Sequence, residues 1–216
     1  MTRGRRLAGA GGVAFAVALV AGFTLYGPKG GNYSAAEIAA FVAQSSSGLA
    51  VSAVLFGVSI IGLFLLLAYL AGKYVDEGPF RRMTWGMSLA AGASILTGWG
   101  LYLAPPIASH SGGPAIDPAI SYAVISAGFA VLFGVGGLLL GIALVSIAMG
   151  GSAAPRWVRG FSGLAGLSAL LSWPFLLASN WSPNQWLPVP FYLVVLWGLV
   201  IGVWLVIGFE RVLKSG

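Results

Sequence analysis

The sequence has few charged residues, no cysteine and a single histidine. Charged residues make up 7% of the 216 residues and hydrophobic residues 58%, with a mean hydropathy of +0.94. A soluble domain needs about a quarter of its residues charged to cover its surface, so the shortage indicates lipid as the main solvent. The lack of cysteine excludes disulfides, thiolate metal sites, cysteine nucleophiles and CxxC redox chemistry.

The long apolar segments also lack ionisable residues. None of the six segments given below has Asp, Glu, Lys, Arg or His in its interior. An ionisable side chain inside a membrane is costly and is usually functional. Its absence argues against proton-coupled transport, a voltage sensor, a haem held by paired histidines and an intramembrane metalloprotease. We therefore predict no catalytic residue, no metal site and no cofactor.

Six segments are apolar enough to cross a bilayer, which takes about 20 residues of helix. They are Leu7–Tyr26, Leu49–Gly72, Met83–Leu103, Ala119–Met149, Gly160–Ala178 and Val189–Phe209. The predicted fold is an all-α polytopic membrane helical bundle of six transmembrane helices, which forms a single integral membrane domain over residues 1–216.

The basic residues predict the orientation of this bundle. Ten of the eleven lie in alternate connections or at the termini, and only Lys29 lies on the other side. Cytoplasmic loops carry the excess of Lys and Arg, so both termini are expected in the cytoplasm, in the cell membrane. The net charge of +6 is explained by these clusters, and no nucleic-acid partner is expected. We interpret the first span as an uncleaved anchor; the alternative is a cleaved signal peptide, which would leave five spans.

Two capping patterns predict helix starts on the outer side. Ser34 and Glu37 have capping-box spacing, which predicts either a short separate helix or an outward extension of the second span. Asp117 followed by Pro118 is typical of the N-cap and first residue of a helix, here the fourth span.

Small residues predict how the helices pack, since close backbone approach holds membrane helices together. Exact GxxxG pairs occur at Gly137–Gly141 and Gly198–Gly202. Small-residue ridges occur on the first span (Ala8, Gly12, Ala16) and on the third (Gly86, Ala90, Ser94, Gly98). Packing within the chain is favoured over a dimer face. The string AVLFGV at 53–58 and again at 130–135 suggests a tandem two-helix repeat.

Three places are candidates for binding or chemistry. The first is an outer ligand region between the ends of spans three to six, formed by Trp99, Trp173, Asn180, Trp181, Asn184, Gln185 and Trp186; an interfacial aromatic belt is the alternative. The second is a pair of His110 and Asp117 acting on a lipid headgroup, for which a solvated loop histidine is favoured instead.

The third candidate is a pair of basic and aromatic edges on the cytoplasmic side. Arg81 and Arg82 precede Trp85, and Arg156 and Arg159 flank Trp157. Such edges suit anionic headgroups, and the ordinary role of basic residues in setting topology explains them equally well.

The order of these features resembles a broad group of six-span membrane proteins common in actinobacteria. The similar pieces are SAAEIAAFVAQSSSG, the basic loop after the second span, APRWVRGFSGLAGL and LVVLWGLVIGVWLV. The resemblance implies the six-span fold and supplies no catalytic residue.

The expected function is that of a non-enzymatic accessory or scaffolding membrane subunit, with membrane lipids and another membrane protein subunit as partners. A carrier or pore for a neutral or lipidic solute is the first alternative, and a lipid-modifying enzyme at the outer face is the second.

Overall fold

The structure is a computed structural model that describes residues 3–26, 35–43, 46–111, 117–172, 174 and 189–208. Over these ranges the chain is helical and has no strand. The helices are α1 (Arg3–Tyr26), α2 (Ala35–Val42), α3 (Ser46–Tyr74), α4 (Pro79–His110), α5 (Pro118–Phe129), a π-helical turn (Ala130–Val135), α6 (Gly136–Gly150), α7 (Arg156–Leu170) and α8 (Val189–Ile207).

Five segments of the described chain are long and apolar enough to cross a membrane. They are Arg3–Thr24, Ser47–Tyr74, Pro79–His110, Pro118–Gly150 and Pro190–Ile207, and they correspond to predicted spans one to four and six. The predicted fifth span, Gly160–Ala178, begins within α7, which has 15 residues. Most of its remainder lies outside the described residues, so the count of six stays a prediction.

The predicted end of the third span differs from the structure, whereas the predicted start of the fourth span agrees with it. The third span was predicted to end at Leu103, but α4 continues to His110 with Pro105 and Pro106 inside it. Both prolines are buried, and neighbouring helices can compensate for the missing backbone N–H groups. The start of α5 is confirmed, because the Asp117 carboxylate accepts a hydrogen bond of 2.7 Å from the Ala119 N–H.

The segment after Ser34 forms a separate short helix. α2 ends at Val42, and its Phe41 side chain is buried with its ring 5.1 Å from that of Tyr102 in α4. Because the helix contacts α4 and α5, its apolar face packs on the bundle.

Glycines hold α1 between α3 and α8. A Cβ added to Gly12 would lie 2.7 Å from the Gly198 carbonyl oxygen, and one added to Gly202 would lie 2.8 Å from the Gly9 carbonyl oxygen. On the opposite side of α1, a Cβ on Gly11 would lie 2.7 Å from the Gly62 carbonyl oxygen. The Gly198–Gly202 pair therefore packs within the chain, as predicted, and so does the first-span ridge, whose Ala8 and Ala16 are buried.

Two further glycine contacts join the rest of the bundle. A Cβ on Gly141 would lie 2.8 Å from the Gly166 carbonyl oxygen, so the Gly137–Gly141 pair packs α6 against α7. A Cβ on Gly98 of α4 would lie 2.7 Å from the Gly128 carbonyl oxygen of α5.

The predicted small-residue ridge of the third span holds only at its Gly98 end. Gly86 is exposed with no atom within 4 Å of its added Cβ, and Ser94 is only half-buried. The buried residues of α4 instead include Thr84, Ser88, Ala91, Gly92, Ile95, Gly98, Trp99 and Tyr102. Small residues occupy both faces of this helix, so composition alone did not identify the packed one.

The repeated string AVLFGV has two backbone conformations. Residues 53–58 are α-helical within α3, whereas residues 130–135 form the π-helical turn. Its two phenylalanines, Phe56 and Phe133, both contact Phe23 of α1, at ring-centroid distances of 5.6 and 5.8 Å. The tandem repeat itself stays a prediction.

One end of the bundle, here named the basic end, gathers the described basic residues. It comprises the starts of α1, α4 and α7 and the ends of α3, α6 and α8. The connections 75–78 and 151–155 meet there: the Asp76 N–H donates to the Gly150 carbonyl (2.9 Å), and the Ser152 hydroxyl donates to the Asp76 carboxylate (2.6 Å). This contact ties the turn after α3 to the turn after α6.

Candidate functional site

Only one residue of the predicted outer ligand region lies in the described part of the chain. That residue is Trp99; Trp173, Asn180, Trp181, Asn184, Gln185 and Trp186 lie outside the described residues. Trp99 has 4% of its surface exposed. Its indole stacks on Phe56 with ring centroids 3.4 Å apart and an interplanar angle of 19°, so it belongs to the interior of the bundle.

Trp99 is part of a continuous set of eight rings, here named the aromatic cluster. Its members are Phe23, Phe41, Phe56, Trp99, Tyr102, Phe129, Phe133 and Phe191. They come from α1, α2, α3, α4, α5, the π-helical turn and α8. Each ring is at most 4% exposed.

Phe23 lies at the centre of this cluster. Its ring centroid is 5.0 Å from Trp99 and 6.3 Å from Phe129, and Phe133 links the cluster to Phe191 of α8 at 5.1 Å. Offset and edge-to-face ring pairs stabilise by about 0.5–1.5 kcal/mol each beyond burial. The cluster thus joins α1 with α3, α4 and α8 through a filled interior.

Trp99 and two serines of the bundle have buried polar atoms without a hydrogen-bond partner. The indole Nε1 of Trp99 is buried and has no hydrogen-bond partner, and the same holds for the hydroxyls of Ser52 and Ser121. Ser52 lies one helical turn before Phe56, the residue stacked on Trp99. An unpaired buried donor costs about 1–3 kcal/mol.

The phenylalanines of the cluster were not predicted from the sequence. Phe129 and Phe133 are four residues apart, a spacing that brings side chains together on a helix, and this was the available signal. Phe23 carried no such signal, because its partners come from distant parts of the sequence.

His110 and Asp117 both have structural partners at helix ends. His110 is the last residue of α4 rather than a loop residue, and its Nδ1 lies 2.8 Å from the Pro106 carbonyl oxygen. Asp117 caps α5. The His110 side chain is exposed.

An apolar groove lies on the surface between α1 and α8. It has a volume of about 520 Å³ and is lined by Ala16, Val17, Val20, Ala21, Thr24, Val195 and Leu199. Thr24 is the lining residue with a polar side chain, and its hydroxyl donates to the Val20 carbonyl at 2.7 Å. The groove is therefore suited to a hydrocarbon chain and offers little to a polar solute.

The two basic and aromatic edges differ in their charge environment. Arg81 donates to the Val75 carbonyl (2.9 Å) and forms an exposed ion pair with Glu77 (3.3 Å). Arg159 donates to the Ala148 carbonyl in the last turn of α6 (3.1 Å). Both arginines thus bind carbonyls at helix C-terminal ends, a recognised use of basic side chains, whereas Arg82 and Arg156 are exposed.

Trp157 belongs to a larger array at the basic end. Its ring meets that of Trp204 edge to face at 5.3 Å, and the Arg5 guanidinium carbon lies 5.3 Å from the centroid of Trp204. Tyr74 of α3 approaches Trp204 to 6.0 Å. This array joins α1, α3, α7 and α8.

The described residues contain no group of three or more His, Cys, Asp or Glu side chains placed to hold a metal ion. No protein-family model, curated protein or solved structure matches the chain. The similarity to six-span actinobacterial proteins therefore stays a prediction. Within the described ranges, the structure supports an all-helical architecture with five helices long and apolar enough to cross a membrane.

Proposed function

We propose that this protein is a non-enzymatic scaffolding subunit of the cell membrane, built to pack against another membrane protein. The observation that carries the proposal is the aromatic cluster, whose eight buried rings fill the space between α1, α3, α4, α5 and α8. A carrier or pore for most solutes needs a path lined by polar groups or water. In this protein the space between the helices is occupied by aromatic rings and by close glycine contacts instead. The absence of ionisable residues from the spans points the same way.

The proposal includes six spans with both termini in the cytoplasm. It rests on the gathering of the basic residues at one end and on the positive-inside rule. Reporter fusions after Gly30, Gly112 and Asn184 are expected to report outside, and fusions after Gly78, Ala154 and Gly216 inside. A cytoplasmic report at Gly112 would contradict the orientation. The intact mass of the mature protein is expected to include the Met1–Tyr26 segment, with or without the initiator methionine, and loss of the segment would identify a cleaved signal peptide.

Site-specific photo-crosslinking in cells tests the scaffolding role. A photoreactive amino acid is placed singly at exposed apolar positions on different helices: Val17, Val54, Leu89, Leu164 and Val203. A scaffolding subunit is expected to give a discrete protein adduct at positions on one face and lipid adducts elsewhere. Lipid adducts alone at all five positions would contradict the proposal.

The groove between α1 and α8 favours a second candidate, a carrier for a lipidic solute. It is apolar and open at the surface of the bundle, with about 520 Å³ of space, within the range of small-molecule sites. The test is transfer of a fluorescent phospholipid between the leaflets of proteoliposomes. A carrier would show transfer that Ala21→Trp, which fills the groove, abolishes, while Leu89→Trp on the exposed face of α4 leaves it unchanged. No transfer above protein-free vesicles would exclude this candidate.

A further inference from the structure

We infer that the corner of the basic end formed by α1, α7 and α8 is a binding site for the headgroup of an anionic phospholipid. The site consists of the array of Arg5, Trp204 and Trp157 together with the exposed Arg3, Arg6 and Arg156. It extends the proposed function and rests only on the membrane location within it.

The described helices of this corner carry charge of one sign. Three arginines of α1 and two of α7 lie there, and no acidic residue occurs within α1, α7 or α8. The residues after Gly208, which include Glu210, Arg211 and Lys214, lie outside the described residues. The Asp76 carboxylate, in the turn after α3, accepts a hydrogen bond from the Ser152 hydroxyl. The other basic edge, around Trp85, differs from this corner because Arg81 is paired there with Glu77. Charge complementarity to a phosphate therefore favours the α1–α7–α8 corner.

The aromatic rings give this corner a fixed shape. Trp204 is 7% exposed; the Arg5 guanidinium lies over its ring, and the ring of Trp157 meets it edge to face. Trp157 is 45% exposed, so its outer surface is open to a ligand. An indole at the membrane boundary favours headgroup depth, and an arginine over a tryptophan face is held there by a cation–π interaction.

A lipid headgroup fits this arrangement better than free phosphate does. The exposed Arg156 directly precedes the exposed indole of Trp157 in α7, so a cation for the phosphate lies next to an apolar surface for the glycerol and upper acyl region. Free phosphate uses only the cations. The occupant is therefore an anionic phospholipid of the leaflet at the basic end.

The test is a lipid titration of the purified full chain in detergent, followed by native mass spectrometry. The probes are phosphatidylglycerol and phosphatidylcholine with identical acyl chains. Arg156→Gln is compared with Arg82→Gln, which also removes one exposed arginine from the first turn of a helix at the basic end. Trp157→Leu is compared with Trp85→Leu, since Trp85 is 41% exposed.

The wild type is expected to bind phosphatidylglycerol more tightly than phosphatidylcholine. Arg156→Gln is expected to weaken phosphatidylglycerol binding by about fivefold, which corresponds to about 1 kcal/mol for one basic residue near an anionic surface. Trp157→Leu is expected to weaken it as well, and both control variants are expected to leave it close to wild type.

Three results would overturn the inference. They are equal binding of the two lipids, equal losses in Arg156→Gln and Arg82→Gln, and displacement of phosphatidylglycerol by inorganic phosphate at equal concentration. Circular dichroism verifies that each variant is folded. Because binding in detergent depends on neither orientation nor a protein partner, failure here is distinguishable from failure of the scaffolding proposal.

Discussion

The contact between α1 and α8 offers a quantitative test of the packing, through the variant Gly12→Ala. A Cβ at residue 12 would lie 2.7 Å from the Gly198 carbonyl oxygen, 2.9 Å from the Gly202 Cα and 3.0 Å from the Leu66 Cδ2. Two of these three atoms belong to the backbone, so the helices must separate to admit the methyl group. Overpacking of this kind costs about 1–3 kcal/mol.

The matched control is Gly57→Ala in the middle of α3, where nothing lies within 4 Å of the added Cβ. Replacing glycine by alanine favours the helix by up to about 1 kcal/mol, and this gain is common to both variants. The difference between them therefore isolates the contact, and we expect Gly12→Ala to be less stable than Gly57→Ala by about 1–3 kcal/mol.

Thermal unfolding in mild detergent, followed by circular dichroism at 222 nm, measures this difference. For a chain of this size, 1 kcal/mol shifts the melting temperature by about 2–4 °C, so Gly12→Ala is expected to melt about 2–12 °C below Gly57→Ala. Equal melting temperatures for the two variants would refute the close α1–α8 contact.

Two further predictions concern the ridge of the third span and the lone histidine. Gly98→Leu is expected to lower the melting temperature more than Ser94→Leu. A Cβ on Gly98 already lies within 2.7 Å of atoms of Leu132 and Gly128, while Ser94 is only half-buried. A larger loss with Ser94→Leu would instead support the small-residue ridge predicted from the sequence. His110→Ala and Asp117→Asn, expressed at matched levels in a deletion strain, are expected to complement it as the wild type does, since both side chains serve helix ends; complete loss with His110→Ala would place the lipid-modifying enzyme first.

Features encoded locally were predictable from the sequence. The start of α5 follows from Asp117 and Pro118 alone, since an N-cap acceptor and a proline without an N–H suit a helix start. Of the five described helices long enough to cross a membrane, four begin and end within a few residues of the predicted spans. Their bounds were predictable because such a helix needs a continuous run of about 20 mostly apolar residues, which is visible in the sequence. The GxxxG pairs likewise identified true contacts, since only glycine lets the backbones approach this closely.

Features set by tertiary contacts were not predictable in the same way. The packed face of α4 could not be chosen, because Gly86 and Ser94 on one side and Ser88 and Gly92 on the other are equally small. The π-helical turn could not be foreseen either, since the same six residues are α-helical in α3.

Trp99 illustrates the limit for the site. Tryptophan is common at membrane interfaces, so the sequence placed it at an outer boundary, whereas its stacking on Phe56 depends on how α3 and α4 pack. The difference between the two basic edges likewise appeared only once Trp204 was brought beside Trp157.

Water accessibility of the interior tests the central claim, a filled bundle with no solute path, most directly. The chain has no native cysteine, so single cysteines can be placed at Ile125 and Leu132, which are 0% and 2% exposed, with exposed Ser111 and Ser152 as controls at the two ends. A charged thiol reagent that does not cross membranes is applied to sealed vesicles, where it reaches one side of the protein, and to opened vesicles, where it reaches both sides. We expect labelling at residues 111 and 152 and none at 125 and 132; rapid labelling of either interior cysteine would reveal a hydrated path and contradict the scaffolding account.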